Sequence, residues 1–416
     1  LRGRGAGHAG DEPWALRRLP LSARRFARRR FLDVAVVATP TVGPAPSPAI
    51  AAAPAVRAGR NVAVDVLRGI TIVGMVLVNN PGSSKGWVQL NHAAWNGSTL
   101  ADFVFPGFLF VVGLSITMSQ HASRGSRRTP VLRIVRRAVL LVALGLLLNW
   151  LNPLASGALR YPGVLQRIGV AYLIAALAVA FLPLTAQVVL GGVLLGGYWF
   201  ALVHISVPGH GAGMLTPAGN LAGWVDRTLF GQAHLYRHAT YDPEGLLSTA
   251  DAVVTVLIGV WAAAWMRRRP KAMASVVGLA GGGVLLAAAG WWWRGSLPFN
   301  KRIWSPSFTL WTAGWFVLVL AVLWLVFEVV GWRQLRHPWV VLGSNALLLY
   351  VATELGDRVL GLLHLGHETV HEWTFTHWFA PYLGPAPASA AWSLAFVGAW
   401  GAVVAFLYRR RLFLRL

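Results

Sequence analysis

Long apolar runs and short polar connectors alternate along most of the chain. From residue 62 onward, ten runs of about 20 residues are dominated by Ala, Val, Leu, Gly, Phe and Trp: 62–81, 101–120, 132–151, 164–183, 186–205, 247–266, 273–293, 307–327, 338–354 and 391–409. About 20 such residues form a helix long enough to cross the hydrocarbon of a bilayer. The runs are continuous and do not alternate at every second residue, which argues against a membrane barrel. Only helices and closed barrels satisfy the backbone in lipid. The pattern therefore predicts an all-α fold, a polytopic transmembrane helical bundle of about ten spans. Three connectors are long enough to fold, 82–100, 206–246 and 355–390, and they carry most of the Trp, His, Asn and carboxylates outside the runs.

Composition agrees: 56% of the 416 residues are hydrophobic and 12% charged, and the mean hydropathy is +0.56. The net charge of +23 would suggest nucleic acid in a soluble chain, but its placement decides otherwise. Arg124, Arg127, Arg128, Arg133, Arg136 and Arg137 cluster in one connector. Further clusters are Arg267–Arg269 with Lys271, Arg333 with Arg336, and Arg409–Arg411. These are alternate connectors, the positive-inside pattern. It puts both termini in the cytoplasm and the three long connectors together on the opposite face. The cations then serve topology and contact with anionic membrane lipid, and no nucleic acid is expected as a partner.

The chain has no cysteine, which excludes disulfides, thiolate metal sites and a cysteine nucleophile. Residues 1–60 are rich in Arg, Ala, Pro and Gly and read as a disordered tail, leaving 61–416 as the transmembrane domain. RRFARRRFLDVAVVA resembles a signal peptide, but its apolar run is short and Asp33 interrupts it.

Candidate chemistry concentrates in QLNHAAWNGSTLADFVFPGFLF, residues 89–110. His92 and Asn96 precede the second span, Asp102 enters it, and Asn79 ends the first span in VNNPGSS. Polar groups at membrane depth face the bundle interior or a wet cavity and suggest function. A histidine beside a carboxylate is a general base whose tautomer the carboxylate fixes. The alternative is that Asp102 caps a helix and His92 is an interfacial loop residue, and spacing alone favours that plainer reading. Asp65 and Arg68, three apart at the cytoplasmic start of the first span, are placed to pair. HLGHETVHEW at 364–373 contains His367, Glu368 and His371 in the H-E-x-x-H pattern of zinc proteases. On a helix both histidines would share one face. The pattern also arises by chance in a His-rich loop, so no metal is expected.

VDVLRGITIVGMVLVNNPG, NHAAWNGSTLADFVFPGFLFVVGLSI, RYPGVLQRIGVAYLIAAL, YDPEGLLSTADAVVTVLIGV and LGSNALLLYV follow one another in this order. Together they resemble the heparan-alpha-glucosaminide N-acetyltransferase family of transmembrane acyltransferases and its bacterial relatives, over about residues 60–410. The resemblance implies transfer of an acetyl group from cytosolic acetyl-CoA to the amine of a glucosamine-type sugar on the far side of a bacterial cytoplasmic (inner) membrane. It implies that His92 is the catalytic histidine, as base or acyl carrier, with Asn79 and Asp102 beside it. Asp65, Arg68, Asn96, Gln166, Arg167, Asp242, Glu244 and Asn345 are the candidates for binding substrate or cofactor. Gln166 and Arg167 come from the PGVLQR segment, Asp242 and Glu244 from DPEG, and Asn345 from GxN. Arg68 and the cytoplasmic arginines are candidates for the CoA phosphates. The acceptor is an amino sugar or glycan, and the resemblance implies a homodimer. An amino-sugar transporter is the competing class, weakened because no internal repeat is evident.

Overall fold

The computed structural model describes residues 61–122, 130–151, 158–268, 272–332, 334 and 336–413. The expected tail, 1–60, lies outside the described residues, as do parts of the arginine-rich connectors. The described residues fall in one compact unit, Arg60–Leu416.

Every one of the ten apolar runs is helical. In chain order the helices are α1 (Val62–Asn79), α2 (Leu100–Ala122), α3 (Pro130–Trp150), α4 (Val164–Phe181) and α5 (Leu184–His204). A short helix α6 (Leu221–Phe230) lies in the long second connector. There follow α7 (Thr249–Arg268), α8 (Met273–Trp293), α9 (Pro306–Trp324), α10 (Arg336–Ser344), α11 (Ala346–Leu362), α12 (Val370–Trp378) and α13 (Pro385–Arg409). Among the described residues, eight helices are long and apolar enough to cross a membrane, with α9 extended to Val329 by a π turn. The α10–α11 pair, bent by 72°, makes nine if it is one span. The 21-residue α3 matches a span in length but carries Arg133, Arg136 and Arg137 in its first two turns. The outward faces of α5, α8 and α13 expose large apolar side chains such as Val189, Leu285 and Leu394, as lipid-facing helices do. The protein is a multi-pass membrane protein.

One expected element differs. The run at 338–354 breaks at Asn345, between α10 and α11. The close seat of α10 on α1 accounts for the break. A side chain at Gly343 would meet the Asp65 carbonyl, and one at Gly69 would meet the carbonyl of Trp339. With α10 held so close, α11 must turn away to pass the outer half of the bundle.

The centre of the bundle is the crossing of α2 and α7. Gly113 and Gly259 face each other there, and a Cβ on either would meet backbone carbonyl oxygen of the opposing helix. Small residues permit such approach, and in lipid close van der Waals packing replaces the hydrophobic drive between helices. Gly259→Ala is therefore expected to cost about 1–3 kcal/mol through overpacking. Gly192→Ala, where nothing lies within 4 Å, should leave stability unchanged or raise it. Thermal denaturation in detergent checks the pair, and equal melting temperatures would rule out a tight crossing at Gly259.

At one end of the bundle Glu328 accepts a hydrogen bond from the Val62 N–H at 2.9 Å, tying α9 to the first turn of α1. Parts of α1, α2, α3, α4 and α11 surround a cavity at the other end.

Candidate active site

The cavity has a volume of about 810 Å³ and is lined by Asn79, His92, Gln166, Glu244, Lys301 and Glu354 among others. Its floor comes from helix ends. Its rim comes from four connectors: 80–99, the described part of 151–163, 205–248 and 294–305. The rim is laced together. Trp95 donates from its indole to the Leu215 carbonyl at 2.7 Å and meets Tyr241 edge-on at 4.8 Å. Asn300 donates from Nδ2 to Asn96 Oδ1 at 3.0 Å, and Gly97 N–H donates to the Phe299 carbonyl at 2.8 Å. Asn96, a binding candidate from sequence, thus joins two connectors and fixes the residue beside Asn300, which is Lys301.

Asp102 both caps a helix and pairs with His92. It is fully buried in the first turn of α2. Its Oδ2 accepts from the Thr99 N–H at 3.0 Å, the Thr99 hydroxyl at 3.0 Å and the Ala93 N–H at 3.1 Å, one half of a capping box. Its Oδ1 meets His92 Nδ1 at 2.9 Å. An ionised carboxylate only accepts, so His92 carries its proton on Nδ1 and turns the Nε2 lone pair outward. One carboxylate caps the helix with one oxygen and orients the histidine with the other.

Lys301 completes the cluster. Its Nζ lies 3.1 Å from both His92 ring nitrogens and 3.9 Å from Asp102 Oδ1. Burial pulls His92 below the usual histidine pKa. Asp102 opposes this, and Lys301 and Arg302 reinforce it. The imidazole is thereby neutral at neutral pH. Burial also lowers the Lys301 ammonium to about 8, against the pull of Asp102 and Glu244.

A second charged group forms another wall. Arg160 is bidentate to Asp242, Nε to Oδ2 at 2.9 Å and Nη2 to Oδ1 at 2.6 Å, and Nη2 also reaches Glu244 Oε2 at 2.6 Å. Burial disfavours the Arg160 charge, but Asp242 and Glu244 more than offset it and raise its pKa. Asp242 also takes the N–H groups of Tyr236 and Glu244, at 2.8 and 2.9 Å. The DPEG turn is thereby a clasp for Arg160. Arg167, buried in α4, donates to the Gly245 carbonyl at 3.0 Å and to the Ser248 hydroxyl, and lies over the Trp304 ring at 5.0 Å. It supports the clasp from below and does not line the cavity. Gln166 lines it and donates to the Tyr161 carbonyl at 3.2 Å. Asn79 lines it and hydrogen-bonds Glu354.

Three sequence candidates lie elsewhere. Asp65 and Arg68 pair at 3.0 Å, with Arg68 also bonded to Ser115 at 3.0 Å. They sit about 21 Å (Asp65) and about 17 Å (Arg68) down α1 from Asn79 at 1.5 Å per residue. Asn345 is buried at the α10–α11 break and donates to the Leu412 carbonyl at 3.0 Å. The H-E-x-x-H pattern is not helical: Glu368 is in the second strand of a two-strand hairpin, and α12 starts only at Val370. His371 meets Asp357 at 3.3 Å, and no group of three metal-ligating side chains occurs among the described residues. The arrangement a zinc protease needs is absent there.

Lys301, Arg302, Arg160, Glu354 and Arg358 were not singled out in the sequence. One signal was available: Lys301, Arg302 and Arg160 are cations on the face that the charge pattern leaves poor in them.

Asp226, fully buried in α6, accepts the Leu246 N–H at 2.9 Å. Burial raises its pKa from 3.8 to about 7. A raised carboxylate pKa means the folded state binds the extra proton between those values. Its contribution to stability is full below pH 3.8 and is lost as pH climbs through 7. Asp226→Asn should therefore gain on the wild type between pH 5 and 8 by on the order of 2 kcal/mol. Melting curves at both pH values check this; a pH-independent difference would contradict it.

Residues 60–217 match the family model described as "Heparan-alpha-glucosaminide N-acetyltransferase, catalytic". The chain is 32% identical over 350 residues to mouse heparan-alpha-glucosaminide N-acetyltransferase, covering 70% of this chain and 53% of that protein. It is 32% identical over 356 residues to the human protein, covering 71% and 53%. The chain spans about half the length of the curated relatives it matches. The matched segment contains Asn79, His92, Arg160 and Gln166 of the cavity wall, and Asp102 behind His92. The chain belongs to the heparan-alpha-glucosaminide N-acetyltransferase-like family of transmembrane acyltransferases.

Proposed function

We propose that this protein is a membrane-embedded acetyltransferase that moves an acetyl group from acetyl-CoA to the amine of a glucosamine-type sugar, with His92 as general base. The observation that carries the reading is the His92–Asp102 pair, 2.9 Å apart at the cavity wall. A thioester carbonyl attacked by an amine needs a base for the amine proton. His92, neutral at neutral pH and presenting Nε2, supplies it, and Asp102 holds the tautomer and balances the imidazolium that forms. The amine nitrogen bonds to the acetyl carbon, its proton passes to Nε2, and the carbon–sulfur bond breaks. The imidazolium then returns the proton to the departing thiolate.

The cavity suits the sugar acceptor. Its volume is in the range of a small-molecule site. Glu244 and Glu354 face it as partners for a cationic amine, and Arg358 as a partner for hydroxyl oxygens. The charge pattern puts this face outside the cytoplasm and both termini inside, with ten spans counting α3 and the bent α10–α11 pair. On that reading the protein sits in a bacterial inner membrane and acetylates a sugar on the periplasmic side. Arg68 is then at the cytoplasmic end, in place for a CoA phosphate. We also expect a homodimer, and no resident metal.

Purified, detergent-solubilised protein given radiolabelled acetyl-CoA and a panel of amino sugars tests the reading. Labelled N-acetyl sugar is the expected product. No transfer to any acceptor across the panel, by protein that is folded, would overturn it.

A further inference from the structure

We infer that Lys301 is a catalytic residue, whose ammonium donates to the oxyanion that forms on the acetyl carbonyl as the amine attacks. The inference rests on the acetyl-transfer reading and adds to it a group that neither sequence spacing nor the family segment 60–217 contains.

The geometry is specific. An amine poised to give its proton to His92 Nε2 must come within about 3 Å of that nitrogen. The carbonyl it attacks is then one bond further on. Lys301 Nζ is 3.1 Å from Nε2, close enough for one of its N–H groups to reach an oxygen that forms on the Lys301 side of the attacking amine. An ammonium has three donors, and His92 can accept at most one of them, at Nε2, because its Nδ1 carries a proton. Several neighbouring donors already have partners, whereas Arg302, which also lines the cavity, has an unpartnered Nε. Asn79 is engaged with Glu354, Arg160 with Asp242 and Glu244, and Gln166 with the Tyr161 carbonyl.

The surroundings prepare the charge. Lys301 is held by a turn in which Asn300 Oδ1 accepts the Ile303 N–H at 3.0 Å and Asn300 N–H donates to Ser305 Oγ at 3.1 Å. A fixed cation in a buried site stabilises charge that develops only in the transition state and reorganises little to do so. The groups acting on Lys301 are Asp102 from α2, Glu244 from the DPEG turn, Arg167 from α4, Arg302 beside it, and His92. Glu354 and Arg358 of α11 face the same cavity. The acids favour the ammonium and the arginines oppose it. Burial leaves it titrating at about 8, so the donor is lost just above neutral pH.

In the reaction the acceptor nitrogen bonds to the acetyl carbon and the carbonyl pair moves to oxygen, where Lys301 receives it. His92 takes the proton from nitrogen. Collapse returns the pair to the carbonyl, the carbon–sulfur bond breaks, and the proton passes from His92 to sulfur. Lys301 keeps its protons throughout.

The test is the pH profile of kcat for wild type, Lys301→Met and Lys301→Arg, each checked for folding by thermal denaturation. Wild type should lose activity on the alkaline side near pH 8. Lys301→Met should fall about 100-fold in kcat, with little change in KM for acetyl-CoA. Lys301→Arg should keep measurable turnover, because guanidinium stays charged, and its alkaline loss should vanish up to pH 9.5. Should Lys301→Met fail to fold, the alkaline limb of Lys301→Arg decides. An unchanged limb in Lys301→Arg, or a kcat for Lys301→Met within about threefold of wild type, would overturn the inference while leaving His92 chemistry intact. Absence of transfer by wild type would instead overturn the acetyl-transfer reading and this inference together.

Discussion

His92→Ala is expected to lower kcat for acetyl transfer by about 10²–10⁴-fold, the usual contribution of a positioned general base. The protein should remain folded. The His92 side chain is 31% exposed at the cavity wall and its removal opens no core. The Asp102 oxygen it leaves behind has Lys301 only 3.9 Å away to take its charge. The helix cap survives, because Thr99 and Ala93 use the other oxygen. Asp102→Asn should do less damage to the cap than to catalysis: an amide oxygen still accepts from the loop, but the amide no longer balances an imidazolium. Radiolabel transfer at saturating substrates, alongside melting curves, separates the two effects. If His92→Ala keeps more than a tenth of the wild-type rate, base catalysis by this histidine is wrong. An acyl-histidine route would predict the same loss, but it would also leave label on the protein when acetyl-CoA is supplied alone.

The ten apolar runs were legible because a bilayer imposes one solution on a chain: long, continuous and helical. The break at Asn345 was not. It follows from Gly69 and Gly343 letting α1 and α10 touch backbone to backbone, a contact between residues far apart in sequence. His92 and Asp102 are ten residues apart, so their pairing was within reach of local reasoning, and the family resemblance sharpened it. Sequence posed capping and catalysis as alternatives because each was credited with the whole carboxylate. A carboxylate has two oxygens, and here they divide the tasks. Lys301 is 209 residues from His92, and what brings it there is the Asn96–Asn300 hydrogen bond between two connectors. Spacing carries no record of such a link. Asn345 and Asp65 were chosen from the same set of family-like segments as Gln166 and Glu244, yet they lie away from the cavity. Motifs held by packing and motifs held by chemistry look alike in one sequence.

Arg160→Met is expected to destabilise the protein by about 3–5 kcal/mol, the cost of leaving buried charge without its partner. Asp242 is 2% exposed, and its oxygens are bonded to Arg160 and to two backbone N–H groups. With the guanidinium gone, Asp242 and Glu244 face each other across the DPEG turn with little water to separate them. The turn anchors Tyr236, which stacks under Arg160 at 4.8 Å and lines the cavity. Loss of the clasp should therefore weaken acceptor binding as well as the fold, whereas His92→Ala leaves binding in place. Arg160→Lys should rescue only part, because an ammonium cannot reproduce a bidentate fork to Asp242 and a third bond to Glu244. The decisive comparison is Arg160→Met against the triple variant Arg160→Met, Asp242→Asn, Glu244→Gln. If unpaired charge is the cause, neutralising both acids should recover much of the melting temperature without restoring activity. If the triple variant melts no higher than Arg160→Met alone, the clasp works by packing of the arginine stem against Tyr236, and the charge is there for the substrate.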